Sequence, residues 1–473
     1  MANPQPARLI DQLRERLGPK GVITDADALA PWLSDWRGRY HGASPAIVAP
    51  ADTEETAAAM AMAAAASVPL VPQGGNTSMV GGATPPADGS ALILSTRRMN
   101  RLRGLDAAAG TAIAEAGVIL SDLHDAAAAA GWRFPLSLAA KGSATIGGLV
   151  STNAGGTQVL RFGTMRALVA GLEAVLPDGS IYHGLSALKK DNRGYDLRHL
   201  LIGAEGTLGI VTAATLTLVP AAADRAVAWA GVADPQTGLD LLRRLEAETG
   251  DAIESFEILP AESLAAVLRH IPGTRAPLAG NHGWHVLIEV VGKTAGSARP
   301  LIEPLLVRAI EAGLIEDAVI AASEAQAEAF WKLRESISEA ERASGPAVQH
   351  DISVPVAAMP RFMVEAAAAA ERAFPGTHAS AFGHLGDGNV HFHVRAGDGA
   401  GTDWVASNGP AISDFVYDLV DAAGGSLSAE HGIGQMKRKS FGRLTEPSRI
   451  AALRAIKSAL DPHGLLNPGK LLP

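Results

Sequence analysis

The order of hydrophobic and polar positions in the first half of the chain predicts short strands that alternate with helices. Asp52 and Glu55 form a capping pair that opens a helix between two apolar runs. A second helix is closed by Gly131, and a Pro-Asp-Gly sequence marks the bend of a hairpin. The predicted strands lie at 46–50, 68–72, 91–95 and 111–117, in both arms of the hairpin at 168–184, and in the alternating stretch 209–220.

The pattern changes after Pro220, where strand-like apolar runs alternate with helical stretches without glycine-rich loops between them. One helix is predicted from Asp234 and Pro235 to Gly250, and one long helix over 323–344. This alternation predicts a separate α+β domain. The predicted domains are therefore 1–222, with a helical lead at 1–42, then 223–425, and a C-terminal segment at 426–473.

Composition restricts the possible partners and cofactors. The net charge is −9 and no block of Lys or Arg occurs, which argues against a nucleic-acid partner. The chain has no cysteine, which excludes disulfides, iron–sulfur clusters and cysteine-linked cofactors, so a metal would have to be held by His and carboxylates. Neither a signal core nor a membrane-spanning run is visible. We expect a cytoplasmic location, with peripheral membrane attachment left open.

Three glycine-rich segments in the first domain suggest a phosphate-containing ligand. They cover 72–78, 141–163 and 203–211, and the second has six glycines among the 22 residues from 142 to 163. Glycine lets backbone N–H groups approach a ligand closely, and arrays of such groups bind phosphate oxygens. None of the segments is a Walker loop or a strand followed by GxGxxG. A single segment of this kind is usually a tight turn, whereas three in one domain favour binding.

A cluster of histidines in the second domain suggests a metal. His384, His391 and His393 occur within ten residues, around a Gly-Asp-Gly turn. We expect the hairpin to bring His384 across from His391, and His391 to share a strand face with His393. Two imidazoles and one carboxylate suit Zn²⁺ or another borderline divalent ion. Spacing alone leaves the carboxylate open between Glu430 and Asp387, and Asp387 is more typical of a turn former.

A cation on the long predicted helix is a candidate for substrate binding. Arg334 and Ser338 are four residues apart and would share one helix face. The planar guanidinium can bind a carboxylate through two parallel hydrogen bonds. The alternative is that Arg334 pairs with a neighbouring Glu on a solvated helix.

Taken together, these motifs resemble a known family. The chain looks like the FAD-dependent D-2-hydroxyacid dehydrogenases, which belong to the vanillyl-alcohol-oxidase-type flavoproteins. The resemblance covers about 40 to 473 and implies a PCMH-type FAD-binding domain joined to an α+β substrate (cap) domain with a largely antiparallel sheet. The motifs that carry it are, in order, PQGGNTSMVGG, GSATIGGLVSTNAGG, GAEGTLGIVTAATLTLVP, GHLGDGNVHFHV, SAEHGIG and LDPHGLLNPGK.

The resemblance implies an FAD bound along the first domain, with the C-terminal segment returning to the flavin. Asn76 stands where some relatives carry a flavin-linked His, so we expect noncovalent FAD. The implied cofactor-binding residues are Pro72, Gly74, Gly75, Asn76, Thr77, Ser78, Gly142, Ser143, Thr145, Gly147, Gly148, Asn153, Glu205, Gly206, Ile210, Asn467 and Lys470.

The resemblance also assigns roles in the reaction. It implies a metal bound by His384, His391 and Glu430, with His431 as the base that takes the hydroxyl proton. The substrate-binding residues that it implies are Arg334, Ser338, Gln349 and His393. The reaction that it implies is hydride transfer from a D-2-hydroxyacid to the flavin, with a separate protein or quinone as the electron acceptor. A homodimer is compatible with the sequence, but no segment marks an interface.

One position departs from the family pattern. Many relatives carry a Lys where Gln349 stands, and that Lys contributes to carboxylate binding in members that use dicarboxylates. A missing charge-assisted contact costs about 1.5–3 kcal/mol. We therefore expect a monocarboxylate such as D-lactate as the best substrate, unless protonated His350 compensates. The alternatives are D-2-hydroxyglutarate and a glycolate-oxidising subunit of an electron-transfer complex.

Three further classes stay open at this point. The chain could be an oxidase that passes electrons to O₂, a flavoenzyme acting on a sugar or an alcohol without a carboxylate, or a flavin-free metal-binding scaffold. Arg334 and the histidine cluster argue against the second class. The colour of the purified protein separates the third class from the others.

Overall fold

The structure is a computed structural model that describes residues 4–401 and 403–473, with side chains from residue 7 onward. The chain divides into two compact units. The first unit contains the N-terminal residues to Gly156, then Phe162–Ala221 and Glu430–Pro473. The second contains Thr157–Arg161 and Ala222–Ala429. The return of the last segment to the first unit means that this unit is built from distant parts of the sequence.

The chain up to Ala221 forms short strands and helices. They include the predicted ones and several that the sequence did not predict, among them Leu102–Asp106 and Ile146–Thr152. The strands are β1 Val22–Ile23, β2 Ile47–Val48, β3 Leu70–Gln73, β4 Leu92–Ser95, β5 Leu102–Asp106, β6 Thr111–Glu115, β7 Trp132–Arg133, β8 Val169–Val175, β9 Ile181–Gly184, β10 Ile210–Thr217 and β11 Val219–Pro220. The helices are α1 Pro4–Leu17, α2 Ala26–Leu29, α3 Thr53–Ala65, α4 Leu120–Ala129, α5 Ile146–Thr152, α6 Val159–Phe162, α7 Met165–Leu168 and α8 Leu197–Leu201.

Local sequence signals explain several of these boundaries. Helix α3 begins after Asp52, whose carboxylate accepts a hydrogen bond of 2.8 Å from the backbone N–H of Glu55. The Glu55 carboxylate in turn accepts the backbone N–H of Ala51 at 2.7 Å, so the predicted capping pair is confirmed. Gly131 follows α4 with a φ of 76°, a conformation that glycine adopts without strain. The predicted hairpin is also confirmed, because β8 pairs antiparallel with β9.

Two main sheets form the first unit. A four-stranded sheet has the order β1-β2-β4-β3, in which β3 and β4 run parallel. A five-stranded antiparallel sheet has the order β5-β6-β10-β8-β9, and β11 pairs with β7. Two apolar clusters lie against these sheets. One contains Leu70 and Leu92 of the four-stranded sheet together with Val175 of β8, and the other contains Leu172 and Leu216. Burying these faces removes apolar surface from water, which is the main force that holds the two layers.

The second unit is built on one seven-stranded sheet with the order β15-β12-β14-β13-β17-β18-β16, in which every neighbouring pair is antiparallel. Its strands are β12 Asp224–Val232, β13 Ile253–Pro260, β14 Trp284–Gly292, β15 Asp317–Ile320, β16 Ala347–Ser353, β17 His378–His384 and β18 Asn389–Arg395. Its helices are α9 Pro235–Thr249, α10 Ala261–His270, α11 Ala298–Glu311, α12 Glu324–Glu335, α13 Ile337–Ala343, α14 Met359–Ala373 and α15 Trp404–Ala422.

Two features of the second unit differ from the sequence-based prediction. The single long helix predicted over 323–344 is wrong, because α12 ends at Glu335 and α13 starts at Ile337. Residues 157–161, predicted within the first domain, belong to the second unit. The fully buried Glu254 on β13 holds them, since it accepts 2.6 Å and 2.9 Å hydrogen bonds from the side chains of Gln158 and Arg161.

The last segment contributes α16 Arg438–Leu444 and α17 Pro447–Leu460 to the first unit. After α17 the backbone N–H of Leu70 donates to Leu465, and Asn467 donates back to Leu70, so the C-terminal residues extend the edge of β3. Among the described residues, no helix is long and apolar enough to cross a bilayer.

Candidate active site

The first two glycine-rich segments pack directly against each other at the end of β3. A Cβ atom added at Gly74 would lie 2.2 Å from Oγ1 of Thr145, and one added at Gly75 would lie 1.8 Å from the carbonyl oxygen of Ser143. Such distances are far inside van der Waals contact. Only glycine fits at Gly75, where the opposing atoms are backbone, while a Cβ at Gly74 would displace the Thr145 hydroxyl. The backbone of 74–75 and the start of α5 are therefore held side by side.

The third glycine-rich segment packs at the end of β3 as well, and the region where the three segments meet is called the corner below. Gly206 has a φ of 69°, and a Cβ there would meet the Pro72 side chain at 2.3 Å. Glu205 is buried, and its two carboxylate oxygens each accept a 2.7 Å hydrogen bond, from the backbone N–H groups of Ile433 and Gly434. Burial raises the pKa of Glu205, and the two N–H groups oppose that rise. Glu205 thus fixes the C-terminal segment beside the glycine-rich loops.

The C-terminal residues Asn467 and Lys470 lie buried at this corner. The Asn467 amide donates to the carbonyl oxygens of Gly82 and Glu205, at 3.0 Å and 2.7 Å. Burial lowers the pKa of the Lys470 ammonium to about 8, and the charge of Arg438 adds to the effect. A buried cation of this kind is costly to desolvate unless an anion compensates it.

Several other predicted cofactor residues have structural tasks of their own. Asn76 has a φ of 53° and donates to the carbonyl oxygen of Ser34 at 2.8 Å. Ser78 accepts the backbone N–H of Gly82 at 3.0 Å. The Asn153 side-chain oxygen accepts hydrogen bonds from Thr164 and from the backbone N–H of Arg166. Ile210 buries its side chain in the apolar cluster of the parallel sheet, which leaves only its backbone for a ligand.

The remaining predicted residues of the two loops differ in their packing. A Cβ at Gly147 would meet that of Ala116 at 2.6 Å, and one at Gly148 would meet Thr145 Oγ1 at 3.3 Å. A Cβ at Gly142 would meet no atom of the described chain within 4 Å. Thr77 lies in the bend after β3. Gly147 therefore serves close helix packing, while Gly142 has open space beside it.

The corner fits an FAD. Buried oxygens of two side chains, Thr145 Oγ1 and Asn467 Oδ1, have no hydrogen-bond partner among the described residues. Buried polar atoms in a native protein normally have partners, so such orphans indicate a ligand or ordered water. Backbone N–H groups at glycines and the Lys470 cation provide the positive field that a pyrophosphate requires. All of these groups belong to the first unit.

In the second unit, a carboxylate that the sequence analysis missed holds two predicted site residues. Glu257 on β13 is fully buried and accepts hydrogen bonds from Nε of Arg334 at 2.8 Å and from Nδ1 of His384 at 2.6 Å. Burial acts to lower the pKa of His384, but the Glu257 charge and hydrogen bond outweigh it and raise that pKa to about 9. With Nδ1 engaged by Glu257, Nε2 is the nitrogen of His384 that remains for a ligand, and metal-binding imidazoles are usually held in this way.

The hairpin of β17 and β18 forms as predicted, but with a different register. His384 pairs with Asn389, and Phe382 pairs with His391, so His384 is diagonal to His391 rather than directly across from it. Both side chains remain on one face, with ring centroids 5.6 Å apart. Burial, followed by the charges of Arg334 and His384, lowers the pKa of His391 well below its usual value. Asp387 accepts the backbone N–H of Asn389 and is the turn former.

The same sheet face continues as a row of polar side chains toward β16. His393 pairs with Gln349 and His391 pairs with Asp351, so all four side chains share this face. His393 Nδ1 lies 2.9 Å from the buried carboxylate of Glu341, which also accepts the Ser380 hydroxyl at 2.9 Å. Gln349 and His393, both predicted to bind substrate, are therefore direct neighbours.

Arg334 combines burial with an unused hydrogen-bond donor. Its guanidinium lies over the Phe382 ring, 5.1 Å from the centroid, and its Nη2 is buried without a hydrogen-bond partner among the described residues. The sequence-based alternative, pairing with a Glu of the same helix, is wrong for Nε, whose partner is Glu257 on β13. Ser338 follows the break at Ser336, so it does not share one continuous helix with Arg334.

The predicted metal and base residues are divided between the units. His384 and His391 lie in the second unit, while Glu430 and His431 open the last segment of the first. Within the second unit, the backbone N–H of Ala429, the residue before Glu430, donates to the carbonyl oxygen of Asp351. The ligand set His384, His391 and Glu430 stays a prediction.

Glu257 and Glu341 carry a signal in the sequence that could have been used. Glu254 and Glu257 are the charged residues of the largely apolar strand IESFEILP, and a charged residue inside a buried strand is rarely found without a partner. Glu341 has a weaker signal, since it lies on a helix with other charged residues. Which side chain each carboxylate contacts could not be read from the order of residues.

Two family descriptions match the chain. The description "FAD linked oxidases, C-terminal domain" matches residues 221–471, and "FAD binding domain" matches residues 44–184. Together they define the class as FAD-dependent oxidoreductases, and FAD as the cofactor.

Curated relatives narrow the class. A mitochondrial D-2-hydroxyglutarate dehydrogenase from Arabidopsis thaliana is 36% identical over 98% of this chain and 81% of its own length. A D-2-hydroxyglutarate dehydrogenase from Xanthomonas citri is 38% identical over 95% of this chain and 93% of its own length. The chain belongs to the PCMH-type, FAD-dependent D-2-hydroxyacid dehydrogenase family, as the motifs had indicated. Its reaction is therefore the oxidation of a D-2-hydroxyacid.

Solved structures agree on the fold. A p-cresol methylhydroxylase with substrate bound has a TM-score of 0.76 at 16% identity, covering 99% of this chain and 97% of its own. A 4-ethylphenol oxidase from Gulosibacter chungangensis has a TM-score of 0.72 at 18% identity, covering 100% and 98%. The predicted fold class, an FAD-binding domain of this type with an α+β unit on a largely antiparallel sheet, is confirmed.

Proposed function

We propose that this protein oxidises D-2-hydroxyglutarate to 2-oxoglutarate. The relatives that support this substrate are named D-2-hydroxyglutarate dehydrogenases in plants, animals and a bacterium, at 34–38% identity. The observation that carries the proposal is the buried Arg334, whose Nη2 has no partner in the described chain and can bind a substrate carboxylate. The relatives give less support to the expectation from the sequence that the substrate is a monocarboxylate such as D-lactate.

The residues of the second unit can orient the substrate. Arg334 is fixed by Glu257 and by the Phe382 ring, so its free N–H edge points in one direction and binds the carboxylate next to the hydroxyl. The substrate's Cα hydrogen is thereby given one orientation. His431 then takes the hydroxyl proton as a general base, a role that imidazoles often fill in enzymes. FAD, when bound, accepts the hydride.

A divalent metal, of which Zn²⁺ suits the donors best, would complete this site. His384 and His391 offer two imidazoles on one strand face, and Glu257 holds His384 by its other nitrogen. Glu430 would be the third ligand, and the ion would polarise the substrate hydroxyl. Dialysis against a chelator, followed by metal analysis, tests this. Activity should fall with metal content and return on adding Zn²⁺, and full activity in metal-free protein would exclude the role.

The substrate is tested by comparing D-2-hydroxyglutarate, its L enantiomer and D-lactate with an artificial dye as electron acceptor. We expect the highest kcat/KM for D-2-hydroxyglutarate and little turnover of the L form. A higher kcat/KM for D-lactate would return the assignment to a monocarboxylate.

A separate protein or quinone as acceptor and a cytoplasmic location are parts of the same proposal. Peroxide formation at the full turnover rate in air would instead indicate an oxidase.

A further inference from the structure

A dicarboxylate substrate raises a problem of charge at the position of Gln349. A second carboxylate in this sheet face needs a cation or several donors to replace its water, and Gln349 supplies no charge. His350, proposed above from sequence as a substitute, does not solve this. Strand alternation directs it to the opposite face, where its nitrogens meet the Phe392 carbonyl and the Ser413 hydroxyl.

Arg395 at the end of β18 lies on the same face of the sheet as Gln349. It pairs with Ala347 on β16, while its neighbour two residues earlier, His393, pairs with Gln349. His391, His393 and Arg395 therefore point to one side of the sheet together with Gln349. Diagonal positions in an antiparallel pair are roughly 7–8 Å apart, within reach of a long side chain. The Arg395 guanidinium can thus occupy the space beside the Gln349 amide.

Arg395 also has an unusual lack of partners. It is half-buried, and its side chain forms no hydrogen bond or ion pair with the described residues, although its backbone is paired on both sides in the sheet. The acidic groups around it are engaged with other side chains. Glu341 is bonded to His393 and Ser380, and Glu262 and Glu371 both contact His378. Its charge nevertheless acts on the site. Burial raises the pKa of Glu341, but His393, Ser380 and, as a smaller contribution, the charge of Arg395 lower it overall.

The dimensions of a five-carbon diacid agree with this position. Its carboxyl carbons are roughly 5 Å apart when the chain is extended. The first carboxylate would lie at Arg334, above Phe382, which pairs with His391. One two-residue step along β18 is roughly 7 Å and leads to His393 and Gln349. The second carboxylate would therefore lie next to the Gln349 amide, in front of Arg395.

We propose that Arg395 determines specificity by binding the second carboxylate of a dicarboxylic 2-hydroxyacid, in the place of a cation that Gln349 does not provide. The proposal rests on the proposed function, because it assumes a dicarboxylate. Arg395 and Gln349 then act together, the guanidinium with its charge and the amide as an additional donor. Arg334 remains the partner of the first carboxylate.

The test compares D-2-hydroxyglutarate with D-2-hydroxyvalerate, which has the same five carbons but lacks the second carboxylate. The readout is the ratio of the two kcat/KM values. Arg395→Gln should lower this ratio at least tenfold, mainly through KM for the dicarboxylate, and Arg395→Lys should lower it less. Arg361→Gln is the matched control, since Arg361 is an exposed cation that pairs with Glu365 in the same unit. It should leave the ratio unchanged.

A second variant separates a charge effect from a structural one. Adding Gln349→Lys to Arg395→Gln restores a cation at the neighbouring position and should raise the ratio at least fivefold. An unchanged ratio in Arg395→Gln, or an equal loss on both substrates without rescue, overturns the proposal. If Arg395→Gln does not retain FAD, the same ratio of kcat/KM values is measured in the single variants Arg395→Lys and Gln349→Lys. These two ratios then decide the proposal. A wild-type ratio near one would instead overturn the proposed dicarboxylate substrate.

Discussion

At the scale of single residues, buried acids fix the positions of the candidate site residues in the second unit. Glu257 has no contact with water and is bonded to Arg334 and His384 on different elements. Burial raises the pKa of Glu257, but the positive charges of His384 and Arg334 reverse the effect, so it is lowered overall. A buried acid without partners would be neutral instead. Glu257 therefore links the position of the Arg334 guanidinium, which we propose binds the substrate carboxylate, to that of a predicted metal ligand.

A second buried histidine, outside the site, predicts sensitivity of the fold to acid. His285 on β14 is buried, and its Nδ1 accepts the Trp229 indole N–H at 3.2 Å. Burial, with His282 as a second cause, lowers the pKa of His285 to about 4. The unfolded chain, with a His pKa of about 6.5, binds the proton more tightly. The stability that neutral His285 contributes is present above about pH 6.5 and is lost as the pH falls toward 4.

We expect His285→Gln, whose amide oxygen can still accept the indole N–H, to weaken this dependence. Between pH 7 and roughly 4.5 the wild-type free energy of unfolding should fall by about 2–3 kcal/mol more than that of the variant. Melting temperatures at both pH values measure it. The neighbouring His282, which pairs with Glu316, is common to both proteins. Parallel loss of stability in the two proteins would show that His285 is not responsible.

At the scale of elements, the corner that fits FAD depends on glycine-rich loops that can touch one another only because glycine has no side chain. The close approach of Gly75 to the Ser143 carbonyl, with no room for a Cβ atom, is the clearest case. Glycine costs backbone entropy when it is ordered, so its use here reflects close backbone packing rather than local propensity. The same requirement explains why these segments could be recognised in the sequence.

Gly75→Ala should therefore lose FAD while most of the fold remains. We expect the purified variant to have less than a tenth of the wild-type flavin absorbance per protein, because the two loops must separate. Gly104→Ala on β5, where a Cβ meets nothing within 4 Å, is the matched control and should keep its flavin. Full FAD content in Gly75→Ala would mean that the loops tolerate separation. Gly142→Ala, also in open space, reports on contact with the ligand itself.

The break between α12 and α13 is a feature at the scale of elements that sequence periodicity does not predict. The sequence 323–344 has helical periodicity throughout, and no proline or glycine precedes Ser344 within it. The structure nevertheless ends α12 at Glu335 and begins α13 at Ile337, both packed on the core of the second unit through Leu333 and Ile337. Tertiary packing, which propensity does not contain, overrides the continuous helix.

At the scale of the whole molecule, the chain has two units with separate apolar cores. The residues that fit FAD all belong to the first unit. A ligand that binds only the native state of one unit stabilises that unit by mass action. Binding of FAD to the first unit does not directly change the free energy of unfolding of the second unit.

Calorimetry of the FAD-free protein should therefore show two unfolding transitions. Added FAD should raise the midpoint of one transition in a concentration-dependent way, by roughly 4 °C or less per kcal/mol of binding free energy, and leave the other nearly in place. A single transition that moves as a whole would show that the two units unfold cooperatively. The Gly75→Ala variant serves as the control, since its transitions should not respond to FAD.

The sequence by itself determined the alternation of elements, the change of pattern after Pro220, the capped start of α3 and the glycine-rich loops. These features depend on local rules, namely side-chain periodicity, capping and the absence of Cβ atoms, which act between residues close in the chain. The family resemblance rested on the same short motifs. Their order along the chain was sufficient to identify an FAD-dependent D-2-hydroxyacid dehydrogenase family member.

Only the tertiary structure decided the contacts between residues distant in sequence. The strand register placed His384 diagonal to His391 and put Gln349, His393 and Arg395 on one face. Glu257 is hydrogen-bonded to Arg334, which is 77 positions away in the sequence, and Glu205 is hydrogen-bonded to Gly434, which is 229 positions away. A one-residue shift of a strand would reverse every one of its side chains, and no local pattern fixes that choice. Register and burial are set by the packing of whole sheets, which is why the charges of the site became visible only in three dimensions.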